Sequence, residues 1–253
     1  MNNKYKMGLQ WVVLVTLGLM GGNVGATTWT YSGTGPVSAG GLSASASAIS
    51  ATNATTSALT ATTAYYSGGL GVTTAGESTG SPQHAIDNNG AIESVLFSFS
   101  DGLAGSPAAD RVNLSSVQFG YASGDSDFSV YAYTAAGVAN PIGKTYTNLT
   151  TNGWALIGHY NGGSSGGVYA INNAVYSSYW LVGAYNGVGG SLSKGNDYFK
   201  LASLTGSKCP STGSLPAGCT VTPPVVGVPE PGTLLLMSAG LFGLYRFSSR
   251  RPV

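Results

Sequence analysis

From Thr27 to Val221 no stretch repeats its apolar residues at a helical interval, and Gly-rich breaks interrupt the chain about every ten to fifteen residues. The residues between breaks alternate instead. Leu42, Ala44, Ala46 and Ala48 are interleaved with Ser43, Ser45, Ser47 and Ile49; Val95, Phe97 and Phe99 with Ser94, Ser98 and Ser100. Val117, Phe119 and Tyr121 share one parity, as do Phe128, Val130 and Ala132. Side chains of a strand point to opposite faces in turn, so this pattern describes strands with one face on a core and one in water. Tyr179–Ala184 is apolar at both parities and reads as a central strand; Asp197–Ala202 reads as the last strand. Strands are expected at Leu42–Ile49 and Leu59–Tyr66 too, although Ser43–Thr63 is poor enough in large apolar residues that disorder is an alternative. Many short strands of this kind predict an all-β body, an antiparallel β-sandwich of jelly-roll type, with a barrel as runner-up.

Cys209 and Cys219 are the only cysteines and bracket a turn-rich segment, Pro210–Gly218. In an exported chain the simplest reading is one disulfide that closes a small loop before Pro223-Pro224. Two thiolates without a neighbouring histidine are too few for structural zinc.

Both ends differ from the body. Lys4 and Lys6 precede an apolar run, Met7–Met20, and Val24-Gly25-Ala26 supplies small residues for signal peptidase. Residues 1–26 therefore read as a secretory signal peptide cleaved after Ala26. At the other end Val228-Pro229-Glu230-Pro231 precedes an apolar run up to Phe247, followed by Arg250-Arg251; Arg246 also lies in this tail. The prolines keep the tetrad extended. The run Gly232–Phe247 spans about 24 Å as a helix, against a bilayer core of about 30 Å. It reads as a short, temporary transmembrane stop held on the cytoplasmic side by its arginines. This arrangement resembles the PEP-CTERM sorting signal processed by exosortases. The resemblance implies export through the inner membrane, transient insertion by the tail, cleavage near Pro229–Pro231, and a final place at the cell surface or outside the cell. The expected organisation is 1–26 signal peptide, 27–206 β-sandwich, 207–227 disulfide loop and Pro-rich linker, and 228–253 sorting signal.

The body between the removed ends carries five basic side chains, Arg111, Lys144, Lys194, Lys200 and Lys208, against eight acidic ones, a net charge near −3. No basic patch is available to neutralise phosphates, which argues against nucleic acid as a partner.

Within the body, Gly69-Leu70-Gly71-Val72, His84-Ala85-Ile86-Asp87-Asn88, Asp125-Ser126-Asp127 and Phe199-Lys200-Leu201 follow one another. The series is similar to a family of exosortase-dependent surface proteins in which a "GLGV" turn, an "HA-hydrophobic-DN" segment, a "DSD" turn and a late "FKL" strand recur in this order. That resemblance implies no enzymatic activity.

The candidate chemistry is sparse. His84 and Asp87 would share a face if their segment formed a helical turn, as an acid/base pair would require; a structural turn is the more ordinary reading. His159 falls in the strand-like run Trp154–Tyr160. Asp125 and Asp127 alternate at a turn between apolar strands, with Glu77, Asp87, Asn88 and Glu93 expected on a neighbouring loop. Calcium takes six to eight oxygen ligands and would suit such a place; an Asx-stabilised turn is the alternative. Trp154, Tyr160, Tyr179, Trp180 and Tyr185 are the aromatics to inspect for sugar stacking. The reading that results is an exported, exosortase-sorted structural protein of the surface or matrix, associated with exopolysaccharide or biofilm, with no cofactor unless calcium. A calcium-dependent carbohydrate-binding module is the alternative, and a secreted hydrolase stands last.

Overall fold

The computed structural model describes residues 25–77, 82, 84–103, 110–193, 195–210 and 214–219. The expected signal peptide, membrane helix and sorting tetrad lie outside these residues. Thirteen strands are present among the described residues: β1 Thr27–Thr30, β2 Val37–Ala39, β3 Leu42–Ala51, β4 Leu59–Tyr66, β5 Gly69–Thr73, β6 Ile86–Asp87, β7 Ile92–Ser100, β8 Val112–Gly124, β9 Phe128–Tyr133, β10 Trp154–Tyr160, β11 Val168–Ala170, β12 Tyr179–Ala184 and β13 Asp197–Lys208.

Every pairing is antiparallel, and the strands form one sheet in the order β10-β9-β12-β7-β3-β4-β5-β13-β8-β11, nearly closed on itself. β2 adds to β3, while β1 and β6 add to β13. The fold-over lies at β4. Its first residues, Leu59–Ala61, pair with β3, and Thr62–Tyr66 pair with β5.

β3 forms despite its small residues because its neighbour supplies the bulk. Ala44 pairs with Phe99, Ala46 with Phe97 and Ala48 with Val95, so the Ser/Ala-rich segment is ordered by large partners rather than by its own apolar surface. The main core takes side chains from both halves of the folded sheet, including Trp29, Phe97, Phe119, Phe128, Trp180 and Phe199. Phe119 stacks on Phe199 at 4.3 Å and meets Phe128 edge-on at 5.2 Å. Two buried indoles have polar partners, Trp29 Nε1 donating to the Leu42 carbonyl and Trp180 Nε1 to that of Val112, whereas Trp154 Nε1 has none among the described residues.

A second core explains why β12 is apolar at both parities. Trp180 and Val182 enter the main cluster, whereas Leu181 enters a smaller one with Ile49, Leu96, Tyr131 and Trp154. A 3₁₀ helix, Tyr146–Asn152, covers this second cluster with Tyr146 and Leu149. Its start is a reciprocal cap: Thr145 Oγ1 accepts from the Asn148 amide, and Asn148 Oδ1 accepts from the Thr145 amide. It ends at Gly153, whose φ of 85° ordinary residues avoid.

Two expectations need correction, and one alternative falls away. Gly69-Leu70-Gly71-Val72 is strand β5 rather than a turn; the turn is at Ser67-Gly68. The last strand continues to Lys208, because β8 offers it an antiparallel partner over that whole length. The segment around His84 and Asp87 is not a helical turn: His84 has φ 66° and Asp87 lies in β6.

Cys209 and Cys219 are bonded, with Cα atoms 5.6 Å apart. The loop is held to the body from both sides, since the Cys209 amide donates to the Arg111 carbonyl and the Arg111 guanidinium donates to the Gly218 carbonyl. Reduction of the folded protein should lower its stability by about 2–3 kcal/mol, read as a shift in the urea midpoint with and without dithiothreitol. Alkylation of non-reduced protein should label neither cysteine. Two free thiols in freshly secreted protein would contradict the bond.

Candidate functional site

The turn between β8 and β9 is built by backbone shape before any carboxylate is placed. Gly124 and Ser126 both have positive φ, 72° and 63°. For Ser126 this is an uncommon conformation, and its hydroxyl is fixed by donation to the Tyr198 carbonyl at 2.9 Å. Gly162 packs so closely that a Cβ would lie 1.8 Å from the Ser126 carbonyl oxygen. That approach brings the Gly162 amide to Asp127 Oδ1 at 3.2 Å.

Asp197, at the first position of β13, completes the site. Asp125, Asp127 and Asp197 each present a carboxylate oxygen, and these atoms lie within 4.8 Å of one another. Asp197 Oδ1 accepts from the Asp127 amide at 2.7 Å, and its Oδ2 accepts from Asn88 Nδ2. In return the Asp197 amide donates to Asn88 Oδ1 at 3.0 Å. Asp127 and Asp197 are buried and Asp125 is half-buried. Burial first, and then the neighbouring carboxylates, push Asp197 up to about 7 despite the hydrogen bonds that oppose the shift. Asp127 is raised for the same leading reason. The three converging carboxylates form a hard, all-oxygen donor set of the kind calcium takes.

The sequence pointed to Asp125 and Asp127 but not to Asp197, which lies 70 residues beyond its partner Asp127. Only its place opposite Gly124 in the β13–β8 register brings it in. Of the residues expected beside the turn, Asn88 reaches the site. Glu77, Asp87 and Glu93 instead gather around the start of β6. Glu77 accepts from the Thr74 and His84 amides; Glu93 accepts from the Thr74 hydroxyl and the Asp87 amide. Burial raises Glu93 to about 8 and Asp87 to about 7, and their mutual repulsion adds to the shift of Glu93.

His84 and Asp87 do not act as a pair. His84 Nδ1 meets the Thr73 hydroxyl at 2.7 Å and Asp87 Oδ1 accepts from the Asn89 amide. His159 lies 2.8 Å through Nδ1 from Ser129 Oγ and 2.7 Å through Nε2 from the Val188 carbonyl. The carbonyl requires N–H at Nε2, so Ser129 donates to Nδ1. That resembles a serine–histidine dyad in its bonding, yet Ser129 is only 2% exposed and the pair knits β9 to β10 and the loop after β12. The aromatic cluster expected to stack sugars is mostly core: Trp154, Trp180 and Tyr185 are buried, with Tyr160 and Tyr179 intermediate. Strand alternation could not separate a core aromatic from a surface one here, because β12 and β10 also face the second cluster.

The PEP-CTERM protein-sorting motif matches residues 227–251. The chain thus carries this motif at its C-terminal end, which implies export, sorting to the cell surface and processing by exosortase. No curated protein and no solved structure matches the chain.

Glu93 generates a pH dependence. In the unfolded chain its carboxyl would titrate near 4.3, whereas in the fold it holds its proton to about pH 8. Between those values folding takes up a proton. Stability should therefore be greatest below about pH 4 as far as this group is concerned, fall as pH rises towards 8, and level off beyond. Glu93→Gln, which keeps the shape and removes the titration, should flatten that part of the melting temperature against pH. An unchanged slope would place the dependence elsewhere.

Proposed function

We propose that this exosortase-sorted chain is a non-enzymatic structural protein of the cell surface or extracellular matrix, associated with exopolysaccharide or biofilm. The observation that carries the reading is the sorting motif at residues 227–251 behind an all-β body. In this reading signal peptidase cuts after Ala26, the apolar run after Pro231 is the transient membrane helix, and Arg246, Arg250 and Arg251 hold its end in the cytoplasm. The body, from residue 27 to the end of β13 at Lys208, is a jelly-roll-like sandwich, followed by the disulfide loop and linker up to residue 227. Support for a structural rather than hydrolytic role comes from the histidines. Both are engaged in internal contacts, and the serine bonded to one of them is buried.

The experiment replaces Pro229, Glu230 and Pro231 together by alanine in the producing cell. The variant should stay in the inner-membrane fraction with its tail uncut, while the natural chain leaves it. A variant that reaches the surface with the same C-terminus as the natural chain would overturn the reading.

A second element of the reading is calcium at Asp125, Asp127 and Asp197, supported by the convergence of their oxygens. Asp125 and Asp127 were the residues expected; Asp197 joins them. Calcium at a hundred times its dissociation constant should stabilise the fold by about 2.7 kcal/mol, and chelator should remove that gain. Asp125→Asn, at the most accessible of the three, should abolish the calcium-dependent rise in melting temperature while leaving the fold intact. If calcium and chelator change nothing but Asp197→Ala still destabilises, the turn is held by its hydrogen bonds alone.

A further inference from the structure

Four asparagines stand directly before a glycine: Asn89-Gly90, Asn152-Gly153, Asn161-Gly162 and Asn186-Gly187. An asparagine so placed can lose its side-chain amide. The main-chain nitrogen of the next residue attacks the asparagine Cγ, and the Cγ–Nδ2 bond breaks. Ammonia leaves, taking the main-chain amide proton by way of water, and a five-membered succinimide remains. Water then opens either carbonyl of that ring and gives aspartate or isoaspartate. Glycine favours the attack because no side chain shields its nitrogen. The fold must supply a side chain free to turn, a nitrogen not held in a hydrogen bond, and access for water.

At three of the four pairs the fold withholds these conditions. The Gly153 amide donates to the Leu149 carbonyl at the end of the 3₁₀ helix, while Asn152 Nδ2 donates to the Asn148 carbonyl at 2.8 Å. Asn161 is exposed, but the Gly162 amide is the one held by Asp127 Oδ1. Asn186 is buried, with Nδ2 donating to the Tyr131 hydroxyl at 2.8 Å and Oδ1 accepting from the Val188 amide at 3.0 Å. Asn89-Gly90 differs on each count. Both residues are exposed in the loop between β6 and β7. Among the described residues the Gly90 amide has no acceptor, and a Cβ on Gly90 would meet nothing within 4 Å. The Asn89 side chain meets only the half-buried Tyr198 phenol, an exposed hydrogen bond that water can replace at little cost. Asn88, one residue earlier, is instead held at both ends of its amide by Asp197.

We propose that Asn89 is a self-modification site of this protein, converted to isoaspartate and aspartate through a succinimide formed with Gly90. Its surroundings give the change a consequence. The Asn89 amide donates to Asp87 Oδ1 at 2.9 Å, so a new carboxylate at 89 stands beside a group that Glu77 and Glu93 already face with like charge. Isoaspartate also lengthens the main chain by one methylene just after β6, the short strand whose pairing with β13 sets Asn88 against Asp197. The modification therefore loosens the β6 side of the carboxylate site. A chain sorted to the cell surface meets water for the rest of its life, so the modified fraction rises with its age. The inference depends on no ligand and is independent of the matrix reading above.

The test ages the folded, secreted protein at mildly acidic and mildly alkaline pH and digests samples with pepsin in acid, which halts the reaction. The peptide containing Asn89 should gain one mass unit and carry isoaspartate, faster at alkaline pH because the attacking nitrogen must lose its proton. The peptides containing Asn152, Asn161 and Asn186 should change roughly tenfold more slowly, since each must first open a hydrogen-bonded turn. In protein reduced and unfolded in guanidinium the four rates should converge, which shows that the fold makes the selection. Gly90→Ala should slow the change at Asn89 alone. Alanine at the Gly90 φ of 88° is strained, so Asn89→Gln is the second variant; its ring would need six members, and no mass gain should appear there. No gain at Asn89 in the folded protein, equal rates at the four sites, Asn161 ahead of Asn89, a ranking that survives unfolding, or indifference to both variants would each overturn the inference.

Discussion

The pairing of β13 with β8 is the contact on which the rest of the molecule depends. It runs from Asp197 opposite Gly124 to Lys208 opposite Val112, with register shifts at Lys200/Leu201, Leu201/Ser203 and Thr205/Gly206. On its other edge β13 takes β6, β5 and β1 in succession, so one strand joins four. Its inward side chains, Phe199, Leu201 and Leu204, fill the main core. Its outward side chains carry Lys200, its first residue closes the carboxylate cluster, and the disulfide begins one residue after its end.

Strand periodicity was the legible part. β4, β9, β10 and β12 occupy the spans that alternation or continuous apolarity indicated, β3 and β7 extend theirs by a few residues, and β8 more than doubles the expected Val117–Tyr121. The 3₁₀ helix left no trace in the pattern, since a Thr/Asn-rich segment of about two turns has too few apolar residues to show a period. Its signal was local, the Thr145 and Asn148 spacing of a reciprocal cap. β1, β2, β6 and β11 are two to four residues long, and their existence follows from neighbours that offer an edge, not from propensity of their own.

The candidate sites were half legible for a related reason. Residues close in sequence, such as Asp125 and Asp127, could be grouped by spacing. Asp197 could not, because its meeting with Asn88, which was expected beside the turn, is set by where β6 and β13 pair. Lys200 offers the same lesson. In the sequence it is only one of five basic side chains of the body, and only the glycine-permitted approach of the β4–β5 hairpin frames it with the rings of Tyr66 and Tyr121. Conversely, aromatic residues grouped by type in β10 and β12 went to the cores. Charge is scarce in this chain, and most of what lies in the body is concentrated next to β6 and β13, partly buried. Such groups cost stability unless paired or neutralised, and burial accordingly raises the proton affinity of Glu93 and Asp197.

Hydrogen exchange on the tail-processed protein tests the central role of β13 most directly. If this strand organises the body, amides from Phe199 to Leu204 should be among the last to exchange, opening only with global unfolding, while edge strands β10 and β11 exchange earlier. Exchange of β13 ahead of β7 and β12 would contradict the account, since the core would then persist without the strand that is said to hold it together.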